Sequence, residues 1–348
     1  MKQDLISRRA FVSSAGAGAV ALAAEPGVVA AASEATVPVV VGAVTLPVSD
    51  PGGTRSRLTL ERARGAGVDV VVVPVFEGAR RDAALLALAR HRRMLLGMPD
   101  LCVAAEQAAD WSAGPRLRVA VVAHAHGFQW ADGNLGLIAD LQAAGLRATK
   151  LSSGWRNRAV DGVHEPTDLG LTRYGRAAVR ELNRRGVLID LASTGRRSGL
   201  DAMELSTAPV VFTHTNAAAV HAHPLNLSDE QIRACARTGG VVGVSALAEL
   251  VGGAVPSVAD LARYVAHIAS LVGIAHVGIG WDLDAAPSRR YPSDHLPPQP
   301  LRYVQGLEGF DGFAGLVDAL GRAGLTPADR VAVLGGNFAR VLTRAWSV

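Results

Sequence analysis

Two histidines separated by one residue, His124 and His126, close an apolar run, and His214 and Asp282 close two later runs of the same kind. Imidazole and carboxylate are the side chains that hold zinc in enzymes, with one position left open for water. Residues two apart on a strand face the same side, so His124 and His126 can aim together. With His214 and Asp282 they would make a shell of three histidines and one aspartate around a single zinc ion. Asp282 would alternatively stay off the metal and act as general base toward a metal-bound water. The plainer reading of the pair is ordinary core or rim histidines bonded to backbone. Trp155, Arg156 and Arg158 follow another run. They would line a pocket for an anionic or aromatic group, or simply anchor their loop.

Such residues need elements that bring them to one place. Short apolar runs (Val37–Val44, Val68–Phe76, Leu117–Ala123, Leu146–Leu151, Val187–Leu191, Pro209–Phe212, Gly240–Ser245 and His276–Gly280) alternate with helical patterns such as Leu135–Ala144, Gly175–Arg185, Ser228–Thr238 and Val258–Val272. Ser228 stands at a natural helix start, and Gly186 and Gly239 follow helices as stops. Continuous apolar strands joined by helices imply a parallel sheet buried on both faces. Eight such repeats predict an α/β fold, a (β/α)8 TIM barrel, over residues 36–348 as one domain. No Gly-x-Gly-x-x-Gly follows the first strand, which argues against an open dinucleotide-binding sheet. The Pro-rich segment Pro287–Pro300 would lie over the catalytic face, and Pro327–Val348 would form a closing helix.

The chain has 348 residues, 49% hydrophobic and 19% charged, with a net charge of +4. That composition supports a large core and excludes disorder for the body. The charge is no nucleic-acid signature, since the arginines are spread over the helices. Residues 1–35 read as a signal peptide of the twin-arginine type, with Ser7-Arg8-Arg9-Ala10-Phe11 before a weakly apolar run and small residues near Ala30–Ala35. The run falls short of the ~20 residues a spanning helix needs, so no permanent membrane anchor is expected. The protein would act in the periplasm or outside the cell. Cys102 and Cys235 are expected to be unpaired thiols, placed too far apart to bridge.

From Gly170 onward the sequence resembles the membrane (renal) dipeptidase family of zinc peptidases. The likeness rests on Gly170-Leu171-Thr172-Arg173-Tyr174-Gly175, Val187-Leu188-Ile189-Asp190-Leu191, Val211-Phe212-Thr213-His214, His223-Pro224-Leu225-Asn226, Gly278-Ile279-Gly280-Trp281-Asp282 and Leu334-Gly335-Gly336-Asn337-Phe338. What the resemblance implies is a barrel of the metallo-dependent hydrolase type, with two zinc ions bridged by one carboxylate, cleaving dipeptides, and pairing into a homodimer. Two such ions would generate hydroxide and polarise the scissile carbonyl.

The ligand positions are nevertheless mostly replaced. The His-x-Asp pair expected on the first strand is Ala43 and Thr45, and the bridging glutamate is His126. The histidines expected after strands four and five are Ser153 and Ser193, and the arginine that would clamp the substrate carboxylate is Leu225. His214 and Asp282 are kept. Trp281, replacing a small residue, would fill space left by the ions. The leading expectation is therefore an exported dipeptidase-like barrel without the binuclear centre or normal dipeptidase activity, a pseudoenzyme that binds a small molecule or peptide. The alternatives are a single-metal hydrolase built on His124, His126, His214 and Asp282, and an active zinc dipeptidase.

Overall fold

The computed structural model describes residues 38–42, 44–46, 53–77, 79–112, 117–284 and 302–347. The expected export segment, Ala43 and the loop 287–300 lie outside them. Eleven strands are formed among the described residues. They are β1 (Val40–Val41), β2 (Val44–Thr45), β3 (Val70–Glu77), β4 (Cys102–Ala104), β5 (Val119–His126), β6 (Ala148–Lys150), β7 (Leu188–Asp190), β8 (Val210–Thr215), β9 (Val241–Ser245), β10 (Val277–Trp281) and β11 (Leu283–Asp284).

The main sheet runs β1-β3-β5-β6-β7-β8-β9-β10, and all of its pairings are parallel. Its two ends meet, since Gly42 N–H donates to the Ile279 carbonyl at 3.1 Å and β11 pairs with β2 just beyond. The expected (β/α)8 barrel is what forms. β4 is an addition that the apolar pattern did not reveal. It pairs with Val119–Val121, ahead of the His124–Ala125 stretch that pairs with β6.

Strand alternation divides the core in two. Val40, Val70, Val72, Ala120, Val122, Ala148, Leu188, Val211 and Val241 form one cluster, which also takes in Phe338, Val341 and Leu342 of the last helix, Asn337–Trp346. These are the inward-facing positions, so that helix seals the barrel floor. Gly278 makes room for it, because a Cβ there would stand 2.5 Å from the Phe338 ring. The other face of each strand joins the larger cluster between sheet and outer helices. The closing segment is not one helix. Pro327–Val331 and Asn337–Trp346 are joined by a wider turn, Ala332–Gly336, in which Gly335 presses so closely on Pro38 and Val39 that a side chain would collide with backbone.

Helix starts follow the sequence signals. Ser228 and Gln231 form a capping box, and Thr172 Oγ1 accepts from Gly175 N–H at 2.9 Å, satisfying donors that the first turn leaves without partners. Cys102 and Cys235 are free and buried. No helix among the described residues is long and apolar enough to cross a membrane.

Candidate active site at the barrel mouth

The inward alternation that is apolar at the floor turns polar toward the C-terminal ends of the strands. On β5 the series Ala120, Val122 continues as His124 and His126. On β6 Ala148 is followed by Lys150, on β7 Leu188 by Asp190, and on β8 Val211 by Thr213. All of these polar residues are buried. His214 joins them through an irregularity, because the β8–β9 register shifts between Phe212 and Thr215. Gly280 permits that bulge, since a Cβ on it would stand 2.3 Å from the Thr213 carbonyl.

Asp190 organises the cluster. It accepts from the backbone N–H groups of Ala192 at 2.9 Å and Thr213 at 3.1 Å, and from Thr213 Oγ1 at 2.5 Å. His124 Nε2 lies 3.2 Å from Asp190 Oδ2, within ion-pair range though outside hydrogen-bond geometry, and its Nδ1 has no hydrogen-bond partner. Burial alone would raise the Asp190 pKa. The His124 contact and the charges of His124, His214 and Lys150 outweigh it and hold the carboxyl below its usual range.

Thr213 Oγ1 also lies 2.7 Å from His214 Nδ1. A hydroxyl carries one proton, and here it goes to Asp190, so His214 must donate from Nδ1 to the threonine oxygen. Burial pushes the His214 imidazole below its usual range, with Lys150 and His124 adding to the effect against the opposing charges of Asp282 and Asp190.

The histidines singled out from sequence are brought together. The His124 and His126 rings meet edge-on at 4.9 Å between centroids, and His126 and His214 stack at 5.7 Å with planes 18° apart. Asp282, half-buried with φ +68°, is near enough for its charge to act on His214. Trp155 packs against His164 at 5.2 Å. Arg156 turns its guanidinium onto Asp161 and the Thr167 carbonyl, so it braces its own loop. Trp281 does not fill the mouth as expected. It is buried in the outer cluster, stacked on Phe313 at 5.7 Å, and its Nε1 donates to the Leu307 carbonyl at 3.0 Å. The β9–β10 register shift before Trp281, together with its φ of +42°, accompanies this outward placement.

Lys150 was missed in the sequence reading. It is 2% exposed, and its Nζ donates to Ser193 Oγ at 3.1 Å. A signal was available: of 35 lysines and arginines in the chain, only Lys2 and Lys150 are lysine. Ser193 holds a left-handed φ of +63°. Val163 N–H donating to the Ser193 carbonyl at 3.1 Å and Thr194 N–H donating to the Leu191 carbonyl at 3.0 Å fix that conformation.

A two-zinc centre needs several imidazole and carboxylate donors converging on each ion. The residues present do not fit one. Ser153 Oγ accepts from Gln129 Nε2 at 3.2 Å, Ser193 accepts from the Lys150 amino group, and the imidazoles pack on one another, His124 edge-on to His126 and His126 stacked on His214. Among the described residues no group of three or more His, Cys, Asp or Glu is spaced to hold a metal ion.

Comparison with known proteins places this geometry in a lineage. The sequence profile described as "Membrane dipeptidase (Peptidase family M19)" matches residues 53–348. The chain is 28% identical over 261 residues to dipeptidase aclJ of Aspergillus oryzae, covering 72% of this chain and 58% of that protein. It is 29% identical over 202 residues to dipeptidase tcpJ of Claviceps purpurea, covering 57% and 44%. The chain thus spans roughly half the length of these curated relatives. Two solved structures share the fold. One is an amidohydrolase from Pseudomonas aeruginosa (TM-score 0.82, 21% identity, 92% of this chain and 99% of that one). The other is a metallopeptidase from Rhodobacter sphaeroides, liganded with a phosphinate mimic of the dipeptide L-Ala-D-Ala (TM-score 0.76, 21% identity, 90% and 100%).

Proposed function

Because this chain belongs to the membrane dipeptidase family, peptidase family M19, we propose that it is an exported barrel whose mouth operates without the two-zinc centre and without zinc-dependent dipeptide hydrolysis. The observation that carries this reading is the buried ammonium of Lys150, bonded to Ser193 at 3.1 Å beside Asp190. A cation at Lys150, whose charge acts on both Asp190 and His214, offsets the carboxylate and repels a divalent ion from the same space. The replacement of the bridging position by His126 supports the same conclusion. So does Leu225 in place of a carboxylate clamp, where only its backbone is engaged, by Thr215 Oγ1 at 2.6 Å and by His223 Nδ1 at 3.2 Å. Export by the twin-arginine route, to the periplasm or beyond, is part of the proposal and rests on Arg8 and Arg9.

A one-zinc shell of His124, His126 and His214 with Asp282 is the second reading; the three imidazoles meet in the mouth, and they would have to turn toward a common point to hold an ion. Zinc titration of metal-stripped protein by calorimetry, paired with a dipeptide assay, separates the two. No binding at micromolar zinc is the expected result. One equivalent favours the second reading. Two equivalents, with dipeptide turnover that His214→Ala abolishes, overturn both.

A further inference from the structure

We propose that Ser193 and Lys150 form a metal-independent nucleophile and base pair that cleaves an ester or amide of a small carboxylic acid through an acyl-enzyme. This rests on the metal-free reading of the mouth and adds a chemistry to it.

Three observations carry it. The first is residue choice. In a chain whose lysines and arginines are all arginine apart from Lys2 and Lys150, lysine stands at buried position 150 in the barrel mouth. An amine can take up and release a proton, whereas a guanidinium in a protein cannot. The second is placement. The amine is buried, the Ser193 hydroxyl lies 3.1 Å from it, and Ser193 is partly exposed, so the hydroxyl is reachable while its base is shielded. That separation is the hydrogen-bond reach a nucleophile and its base require. The third is backbone preorganisation. A left-handed conformation costs a residue other than glycine about 1–2 kcal/mol, yet Ser193 is held in one from both sides by the loops after β6 and β7. Asp190, fully buried and ionised, lies where it stabilises the ammonium that forms when the amine accepts the serine proton. Serine paired with lysine is a recognised variant of the serine–histidine–aspartate arrangement.

The steps balance without a co-reactant other than water. The cycle starts once Lys150, which donates to Ser193 Oγ in the resting structure, has released that proton to water; the free amine then takes the proton of Ser193 Oγ while Oγ bonds to the acyl carbon. The bond from that carbon to the leaving nitrogen or oxygen then breaks, and the leaving group takes the proton from Lys150. In the second half Lys150 accepts a proton from water as its oxygen attacks the acyl carbon. The Oγ–carbon bond breaks, and the proton returns to Ser193. The products are a carboxylic acid and an amine or alcohol.

The test uses the mature chain in excess EDTA, with p-nitrophenyl acetate and a fluorophosphonate as probes, read by nitrophenolate release and by mass mapping of the adduct. One adduct per chain on Ser193 is expected. Lys150→Met should slow its formation about 100-fold or more, the lower range for losing a positioned base, and Lys150→Arg should not restore it. Ser193→Gly should abolish it while folding at least as well, because glycine adopts the left-handed conformation freely. This variant keeps the test decisive if Lys150→Met proves unstable. No adduct at Ser193, or one formed at the wild-type rate by a folded Lys150→Met, overturns the pair. If zinc is also not bound, the metal-free reading still stands. Two bound zinc ions with metal-dependent turnover would instead overturn the reading beneath it.

Discussion

Removing the charge on either side of the β6–β7 pairing should show how strongly the mouth depends on its internal ion balance. Lys150 and Asp190 are register partners on neighbouring parallel strands, both facing inward. Adjacent strands lie about 4.8 Å apart. Opposite unit charges near 5 Å, at an effective dielectric constant of about 20, attract by about 3 kcal/mol. Lys150→Met leaves Asp190 ionised and buried with three hydrogen bonds but one cation fewer. Asp190→Asn does the converse, and also sets an amide N–H₂ against one of the donors from Thr213 and Ala192. Each single variant should therefore cost up to about 3 kcal/mol in urea unfolding, the full attraction of the two charges at that separation. The double variant should cost clearly less than the sum, because two neutral partners leave no uncompensated charge. The coupling from the double-mutant cycle should be about 1–3 kcal/mol. A coupling below about 0.5 kcal/mol, within the scatter of independent sites, would refute the reasoning and detach Lys150 from the network.

Other expectations concern the surrounding structure. His91 is 2% exposed, neither ring nitrogen has a hydrogen-bond partner, and burial lowers its pKa from 6.5 to about 4. The unfolded chain takes up this proton first, so stability is present above pH 6.5 and falls as the pH drops toward 4, by about 3 kcal/mol. His91→Leu should remove that part of the pH dependence in denaturant titrations, and parallel curves for the two proteins would contradict the assignment. Phe338→Ala, which empties the barrel floor, should cost about 3–5 kcal/mol and lower the melting temperature. A loss below 1 kcal/mol would mean the last helix does not seal the barrel. Nitrogen-15 NMR should find neutral His214 protonated at Nδ1, with Thr213→Val releasing that preference. The Nε2 tautomer in the wild-type chain would break the inferred order of bonds through Thr213.

Much of the scaffold was legible in the residues, and the reasons are local. Valine-rich runs such as Val70–Val73 can only be strands buried on both faces, and Ser228 with Gln231 marks a helix start by its own side-chain chemistry. The strand-end histidines were also legible, because strand alternation alone puts His124 and His126 on one side. Other features were set by contacts distant in sequence. β4 is three residues long and gains its partners only from Val119–Val121. The kink at Gly335 arises where it meets Pro38 and Val39. Trp281 reads as a space-filler in the mouth until the register shift before it and the aromatic neighbours Phe310 and Phe313 draw it outward.

The sequence by itself determined the barrel and its family likeness, since each follows from residue identity and short-range periodicity. Only the tertiary structure decided which buried groups meet at the mouth. The meeting of Lys150, Asp190, Thr213 and Ser193 requires three separate strands in one register and a loop held in a left-handed turn. Which buried charges face each other is fixed by barrel closure, and no local pattern in the chain encodes that distance.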